Sequence, residues 1–388
     1  MRQAFHLLGT RVTDEGPVRR SHPATIEGTF DSHASPARDC WMRSTTTNTG
    51  TRNQVTIVNT LTEPKLAKSV RRAAVRATLA PSIHNTQPWR FVLGGSSLEI
   101  HADWNRRLRV LDPRGRQLLI SCGCAVMNAR VALAAAGYEV VTERFPDAAQ
   151  PDLVARLTLH EPRAEALSLG MLDPVIERRH TNRRRFADEP TPWDVVDTLV
   201  GIASDEGAEL FPIIAPEHRL ATARLSQQAD FLENADPAYR AELRAWTAGD
   251  PRRPDGVPLQ DKPHGDSGAL DDLPIRSFNT HNMRWRPPEA RSSHEQCLLL
   301  LGTRNDTATA WLRAGEALEH ILLEITRRGY AASPITQVIE VERTNALLRQ
   351  ELDLAMYPHV LLRVGRAPAT PATRRRRLVD VFEEAPLT

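Results

Sequence analysis

The sequence predicts an α+β fold in which two related halves share one polypeptide, each half built on a central, mainly antiparallel sheet. Three observations predict it. The 388 residues are 41% apolar and 25% charged, which suits a packed globular protein and exceeds the length of about 150 residues usual for one core. From Pro64 onward, helical and strand periods alternate between turn residues. Finally, the stretch from Gly123 to Gly137-Tyr138 matches the stretch from Gly315 to Gly329-Tyr330 at an offset of 192 residues, with Ala125 opposite Ala317. A repeat of this length spans half the chain.

The elements follow in order. Residues 1–60 mix Ser, Thr, Asn, Gly and Pro with scattered charges and hold no period, so they read as a disordered leader, with Met42 an alternative start. Leu66, Val70, Ala73, Ala74 and Ala77 recur at helical spacing up to Pro81. Trp89–Leu93 reads as a strand, the Gly94-Gly95 pair as a turn, and Leu98–His101 as the hairpin partner. An Ala-rich helix over 121–137 ends at Gly137, a C-cap by residue type. A further helix lies around Trp193–Ala203, another helical stretch ends near Trp246, and Cys297–Leu301 reads as a strand. Residues 247–293 between them are rich in Pro, Gly, Asp and Arg, and so long a loop inside a compact domain marks a functional lid or a disordered insert. Phe278, Met283 and Trp285 favour the lid, as apolar anchors.

Composition excludes several functions. Lys and Arg number 50 against 48 Asp and Glu, a net charge of +2 that gives no overall field to attract nucleic acid. Met1-Arg2 leads into no apolar signal core, and the runs Val131–Ala136 and Cys297–Leu301 are too short to span a bilayer, so no membrane is expected and the chain reads as cytoplasmic. Cys40, Cys122, Cys124 and Cys297 form no disulfide framework, and Cys122-Gly-Cys124 lacks metal-ligand spacing; they read as packing thiols, and no metal site is expected. There is no dinucleotide-binding glycine motif, P-loop, nucleophile elbow or H-E-x-x-H.

Four segments remain as candidates for chemistry. Ala80-Pro-Ser-Ile-His-Asn-Thr-Gln-Pro-Trp-Arg-Phe91 places Ser82, His84, Asn85 and Gln87 in a proline-fixed turn between a helix and a strand. Alone, it reads equally as a capped turn. Glu177-Arg-Arg-His-Thr-Asn-Arg-Arg-Arg-Phe186 sets Arg179, Thr181 and Arg183 together, a composition suited to a phosphate monoester because guanidinium groups pair bidentately with phosphate oxygens. The other readings are a solvated charge run or a nucleic-acid patch. Arg374–Arg377 is a second run of the same kind. The fourth comprises Gly329-Tyr-Ala-Ala-Ser-Pro-Ile-Thr-Gln337, Leu347-Leu348-Arg349 and Pro358–Pro368, the last holding Val364-Gly365 before Pro368.

Taken in this order, the segments resemble the nitroreductase family. The first looks like its A-P-S-x-x-N-x-Q-P-W loop and the second like its R-R-S-x-R-x-F phosphate motif, with the Phe one residue late, so that the arginine register is open by one position. The combination of Thr181-Asn-Arg-Arg184, the Trp311-Leu-Arg-Ala-Gly-Glu-Ala-Leu318 helix start and Ser333-Pro-Ile-Thr-Gln337 is most similar to the Acg group of FMN-binding oxidoreductases, over roughly residues 65–382. The resemblance implies a nitroreductase-like fold, with a first half at 61–165 and a second at 166–388 containing the lid at 247–293. It implies FMN as cofactor, touched by Ser82, His84, Asn85 and Gln87, with its phosphate on Arg179, Thr181, Arg183, Arg375 and Arg377, and Ser333, Thr336 and Gln337 along the ring. The redox chemistry would reside in the flavin, and no side chain is assigned as a catalytic acid or base. The partners implied are NAD(P)H and a small acceptor such as a nitro compound or quinone; a flavin-binding or flavin-storing protein with little turnover is the alternative.

The inventory of the halves is complementary. The first half has the loop Pro81–Asn85 but no phosphate motif over Lys65–Arg76, and the second has Arg179–Arg183 but no such loop after Trp193–Ala203. One complete FMN site per chain is therefore expected, a single-chain imitation of a homodimer, whether or not the chain dimerises again.

Overall fold

In a computed structural model of the chain the described residues are 63–384, apart from 95, 162–166, 185, 248–249, 251, 259–263, 266–272, 274–275, 277–288 and 291–295. All belong to one compact unit, Asn59–Thr388. The leader, Met42, Gly95 and the anchors Phe278, Met283 and Trp285 lie outside the described residues.

Chain order begins with α1 (Glu63–Ala77), whose buried stripe is the predicted Leu66, Val70, Ala73, Ala74 and Ala77. After the loop come β1 (Trp89–Gly94), β2 (Ser97–Ala102), α2 (Arg116–Ala135), β3 (Glu139–Arg144) and β4 (Leu153–His160). Two short helices, α3 (Leu167–Gly170) and α4 (Asp173–Ile176), lead into α5 (Trp193–Asp205), β5 (Glu209–Pro212), α6 (Pro216–Ala235) and α7 (Pro237–Trp246). The two-residue strands β6 (His264–Gly265) and β7 (Glu289–Ala290) pair with each other. Then follow β8 (Cys297–Thr303), α8 (Ala308–Arg327), β9 (Ala331–Ile335), α9 (Gln337–Glu340), α10 (Glu342–Glu351), β10 (Tyr357–Gly365) and β11 (Phe382–Glu384).

One sheet runs β11-β1-β2-β4-β3 and another runs β5-β8-β10-β9. Every pair within them is antiparallel except β11, which adds to β1 in parallel with Phe382 opposite Phe91. The sheets match strand for strand, β1-β2-β4-β3 against β5-β8-β10-β9. The offset of 192 carries α2 onto α8 and the start of β3 onto the start of β9. The second half differs by insertion: α6, α7 and the 247–293 segment separate β5 from β8, and α9 with α10 separates β9 from β10. The helix read from residue 121 begins earlier, at Arg116, because the Asp112 carboxylate accepts the Leu118 amide at 2.9 Å and satisfies an otherwise orphaned donor of the first turn. Beyond its other end, Gly137 takes φ +87°, and Gly329 beyond α8 takes φ +79°, the left-handed conformation that glycine adopts without penalty.

The largest apolar cluster of the core draws on α1, α2, α5, α8 and both sheets. In β8, Leu299 and Leu301 join it while Leu298 and Leu300 point to a second cluster under α6, α9 and α10. A strand buried on both faces reads as an unbroken apolar run for this reason. Helix α2 is long and apolar enough to cross a membrane by composition, and 89% of its apolar window is buried inside the protein.

The two repeat helices meet at the repeat glycines. A Cβ on Gly123 would stand 2.0 Å from the Leu312 carbonyl oxygen and 2.8 Å from the Gly315 Cα. A Cβ on Gly315 would stand 2.0 Å from the Ile120 carbonyl oxygen and 2.9 Å from the Gly123 Cα. Ile120 and Leu312 are themselves 192 apart in sequence, so the contact is self-complementary, as across a two-fold axis.

The reciprocity sets an expectation for stability. Gly123→Ala and Gly315→Ala should each cost about 1–3 kcal/mol or more, because backbone rather than a side chain must yield. Gly201→Ala at an exposed position of α5, where a Cβ meets nothing within 4 Å, should instead stabilise by about 0.5–1 kcal/mol. Urea denaturation measures all three, and a Gly123→Ala protein as stable as wild type would contradict the close crossing.

Candidate functional site

Beside the crossing, two adjoining clefts open between the halves. The larger, ≈ 810 Å³ counted out to its mouth, is lined by Pro81–His84 from the loop, Gln117, Ile120, Ser121 and Cys124 from α2, Leu318 from α8, Thr181 and Arg183, Arg276, Pro334–Gln337 at the end of β9, and Val360. The smaller, ≈ 440 Å³, shares Pro81, Ser82, Thr181 and Arg183 with it and adds Asn85, Arg179, His180, Val257, Pro258, Thr373 and Arg375. The first is mainly apolar with a few convergent polar groups, and the second gathers three arginines.

The loop after α1 is wound tightly. His84, Asn85 and Gln87 take φ of 45°, 54° and 49°, three of the five non-glycine residues in the left-handed region among the described residues. Such conformations are costly and persist only where surroundings enforce them. The enforcement is visible: the Ile83 amide donates to Ser121 Oγ at 3.1 Å and the Gln87 amide to Ser82 Oγ at 3.0 Å. Asn85 Nδ2 donates to the carbonyls of Gly256 and Arg374, and Gln87 Nε2 donates to the Pro254 carbonyl while its Oε1 accepts the Arg376 backbone amide. Thus Asn85 and Gln87 tie the loop to the 247–293 segment and to the tail.

The basic segment of the second half is extended, bridging Thr181 to Ala332 beside β9, with the Asn182 amide on the Ala332 carbonyl at 2.9 Å. Arg179 is almost fully buried, 3.1 Å from Glu319 of α8 and 3.2 Å from the Leu79 carbonyl. Arg375 donates to the same Leu79 carbonyl at 3.2 Å. Burial first, and then Arg179, lowers the Arg375 guanidinium to about 9.

Ser82, His84, Asn85, Arg179, Thr181, Arg183, Thr336, Gln337 and Arg375 therefore converge on the two clefts, from segments far apart in sequence. Three expected residues do not line them. Gln87 is fully buried behind the loop, spending its amide on the ties above. Ser333 is buried within β9, its Oγ without a hydrogen bond, while its neighbour Pro334 faces the cleft. Arg377 is 78% exposed and paired to Asp380, because the chain turns through Leu378–Asp380 and brings that carboxylate back to it. Arg376, unremarked in the sequence, instead donates to the Gln87 carbonyl at 3.2 Å.

A further unforeseen residue is Arg276. It reaches the larger cleft from the 247–293 segment, nearly fully buried, donating to His84 Nε2 at 2.6 Å and to Glu340, with Glu233 3.8 Å away. A guanidinium has only donors, so Nε2 of His84 is the acceptor and Nδ1 carries the proton. Burial, then Arg276 and Arg183, hold His84 well below the usual imidazole value. Burial raises Glu233, with Arg276 acting against it, and Gln337 Nε2 bonds Asp230 at 2.6 Å alongside. Arg276 carried no sequence signal, since its partners are distant and lie in no motif.

The mirror of this site is filled. Cys124, which lines the cleft on α2, corresponds at the 192 offset to Glu316 on α8, whose fully buried carboxylate takes Arg130 at 2.9 Å and Arg144 at 2.7 and 2.9 Å. Arg130 also donates to Glu206 at 2.7 Å, and His320 Nδ1 lies 3.0 Å from Glu206. Burial alone would raise Glu206, but His320 and Arg130 outweigh it and bring the carboxyl to about 2. The loop is missing there too: residues 206–208 link α5 to β5, where 78–88 link α1 to β1. Glu316→Ala strands Arg144, leaves Arg130 with Glu206 alone, and should cost about 3–5 kcal/mol in denaturant titration while leaving ligand binding at the clefts unchanged. A protein losing both together would contradict the separation of the two regions.

No family model matches the chain. It is 34% identical over 322 residues, 82% of this chain and 92% of the relative, to the Mycobacterium tuberculosis protein named "Putative NAD(P)H nitroreductase Rv3131". It is 31% identical over 330 residues, 81% of this chain and 95% of the relative, to "Putative NAD(P)H nitroreductase acg" of the same organism. A solved nitroreductase with bound FMN from Desulfitobacterium hafniense is similar at 10% identity and a TM-score of 0.35, over 53% of this chain and 94% of that one.

Proposed function

The chain belongs to the family of NAD(P)H nitroreductases that includes Acg, and from that membership we propose that it is an FMN-dependent oxidoreductase with one flavin seated between its halves, near a division at about residue 165. The observation that carries the reading is the pairing of an apolar cleft with a basic one across the shared wall of Ser82, Thr181 and Arg183. A flat ring bearing a phosphate monoester tail needs both. Gln337 Oε1 and Arg375 Nε are polar atoms at these walls without a partner in the protein, as a polar ligand requires.

When bound, FMN supplies the redox chemistry between a reduced nicotinamide and an acceptor such as a nitro compound or quinone. The chain's own residues position it. Arg183, Arg375 and Arg179 with Thr181 would hold the phosphate, since guanidinium forks match its oxygens. Ile120, Leu318, Ile335 and Val360 would give the ring apolar walls, and Ser82, Thr336 and Gln337 would offer it polar groups. His84 is held neutral by burial and by Arg276, so it adds no positive charge to those of Arg183 and Arg276 in the larger cleft. The mirror region, occupied by the Glu316 network and lacking the loop, favours a single flavin per chain.

A second reading, flavin retention with little turnover, rests on Arg276. Its guanidinium lines the larger cleft and is fastened by Glu340, Glu233 and His84, where it would take up room that an acceptor needs.

Two measurements test these readings. Arg183→Ala should weaken FMN retention by about 1.5–3 kcal/mol, while Arg377→Ala, at an exposed ion pair, should leave it unchanged; flavin absorbance after dialysis reads both, and an unaltered Arg183→Ala protein would sink the phosphate assignment. Steady-state oxidation of NADH and NADPH with several acceptors separates reductase from retention. Low turnover in wild type that rises in Arg276→Ala would favour the second reading, and turnover that the substitution leaves unchanged would contradict it.

A further inference from the structure

The basic cleft has an acid behind it. Glu319 on α8 does not line either cleft, but its fully buried carboxylate lies 3.1 Å from Arg179 Nε, and neither of its oxygens has a well-aligned hydrogen bond. The groups that face it come from three other elements: Arg179 from the segment after α4, Arg375 from the tail, and Asn128 with Cys124 from α2. His180, on the wall of the cleft, faces Arg179 and Arg375 instead. The equivalent position in the first half, 192 residues earlier, is Met127, buried and apolar. The carboxyl is thus present only in the copy of the helix that backs the arginines.

Charge decides what such a carboxylate does. Two buried guanidinium groups with one carboxylate carry one net positive charge. A phosphate monoester dianion entering beside them satisfies both arginines and leaves the carboxylate as a buried like charge, which is disfavoured. We infer that Glu319 is a proton-linked countercharge, ionised as the partner of Arg179 and taking up a proton from solvent when a phosphate monoester dianion replaces it there. The inference rests on the reading of this cleft as the FMN phosphate site. Burial already raises Glu319 to about 7, with Arg179, Asn128 and Arg375 acting against burial, so the exchange falls in the physiological range. Because protonation accompanies binding, affinity falls as pH rises through that value, and an uncharged flavin such as riboflavin drives no uptake.

The test is calorimetric titration of the flavin-free full-length chain with FMN at about pH 8, where the phosphate, with its second ionisation near pH 6, is already a dianion. Running it in Tris and in HEPES gives the proton count from the dependence of the heat on the buffer. Wild type should take up close to one proton per FMN, and none with riboflavin. FMN affinity should weaken by up to tenfold per pH unit above about 7. Glu319→Gln should bind FMN with little uptake and a flat pH profile, while His180→Gln should keep the uptake. FMN binding without proton uptake in wild type, or equal uptake with riboflavin, overturns the inference whether or not the Gln variant folds; so does undiminished uptake in Glu319→Gln. Absence of any saturable FMN heat overturns the flavin reading itself and is distinct from these.

Discussion

Two long helices pack with their backbones in contact only where neither presents a side chain, and Gly123 on α2 and Gly315 on α8 meet this condition at one crossing. The contact is reciprocal, so it fixes the two halves in a two-fold relation and brings the end of β9 and the segment around Thr181 across to the loop of the first half. Both clefts lie in that seam. A wider crossing would move Ile120 and Cys124 of α2 away from Leu318 of α8 and open the apolar floor on which the larger cleft depends.

Symmetry of backbone is combined with asymmetry of chemistry. On one side of the crossing the chain keeps a wound loop and gathers Arg179, Arg183 and Arg375; on the other the loop shrinks to three residues and Glu316 binds Arg130 and Arg144. Both interiors bury charge, but they differ in balance. The mirror network satisfies Glu316 with two arginines and extends to Glu206 and His320, whereas the cleft side leaves Arg375 Nε and Gln337 Oε1 without hydrogen-bond partners inside the protein and holds Glu319 by its ion pair to Arg179 without a well-aligned hydrogen bond. Unsatisfied buried polar groups are costly, and Arg375 Nε and Gln337 Oε1 at the cleft walls are ones that a polar ligand would satisfy.

Much of this was legible in the sequence because it is local. Helix register shows as a repeat spacing, the left-handed stops at Gly137 and Gly329 show as residue type, and the loop shows as prolines flanking polar residues. The clustering of Ser82, Asn85, Arg179, Thr181, Arg183 and Arg375 also followed, through resemblance to a family rather than through spacing. What was not legible depends on partners brought together by folding. Whether Arg375 or Arg377 turns inward is settled by Asp380 capturing the latter. Gln87 differs from Asn85 only in which carbonyls lie within reach. Arg276 gains its place from Glu340 and Glu233 on two other helices, and the addition of β11 to the first sheet requires a tail that crosses between halves.

The central claim is that one flavin serves two halves that are alike in fold and unlike in chemistry. Its most direct test is the stoichiometry of FMN binding to the flavin-free chain, measured by titration with the bound flavin quantified after release. One equivalent per chain is the predicted result, and two equivalents of comparable affinity would contradict it.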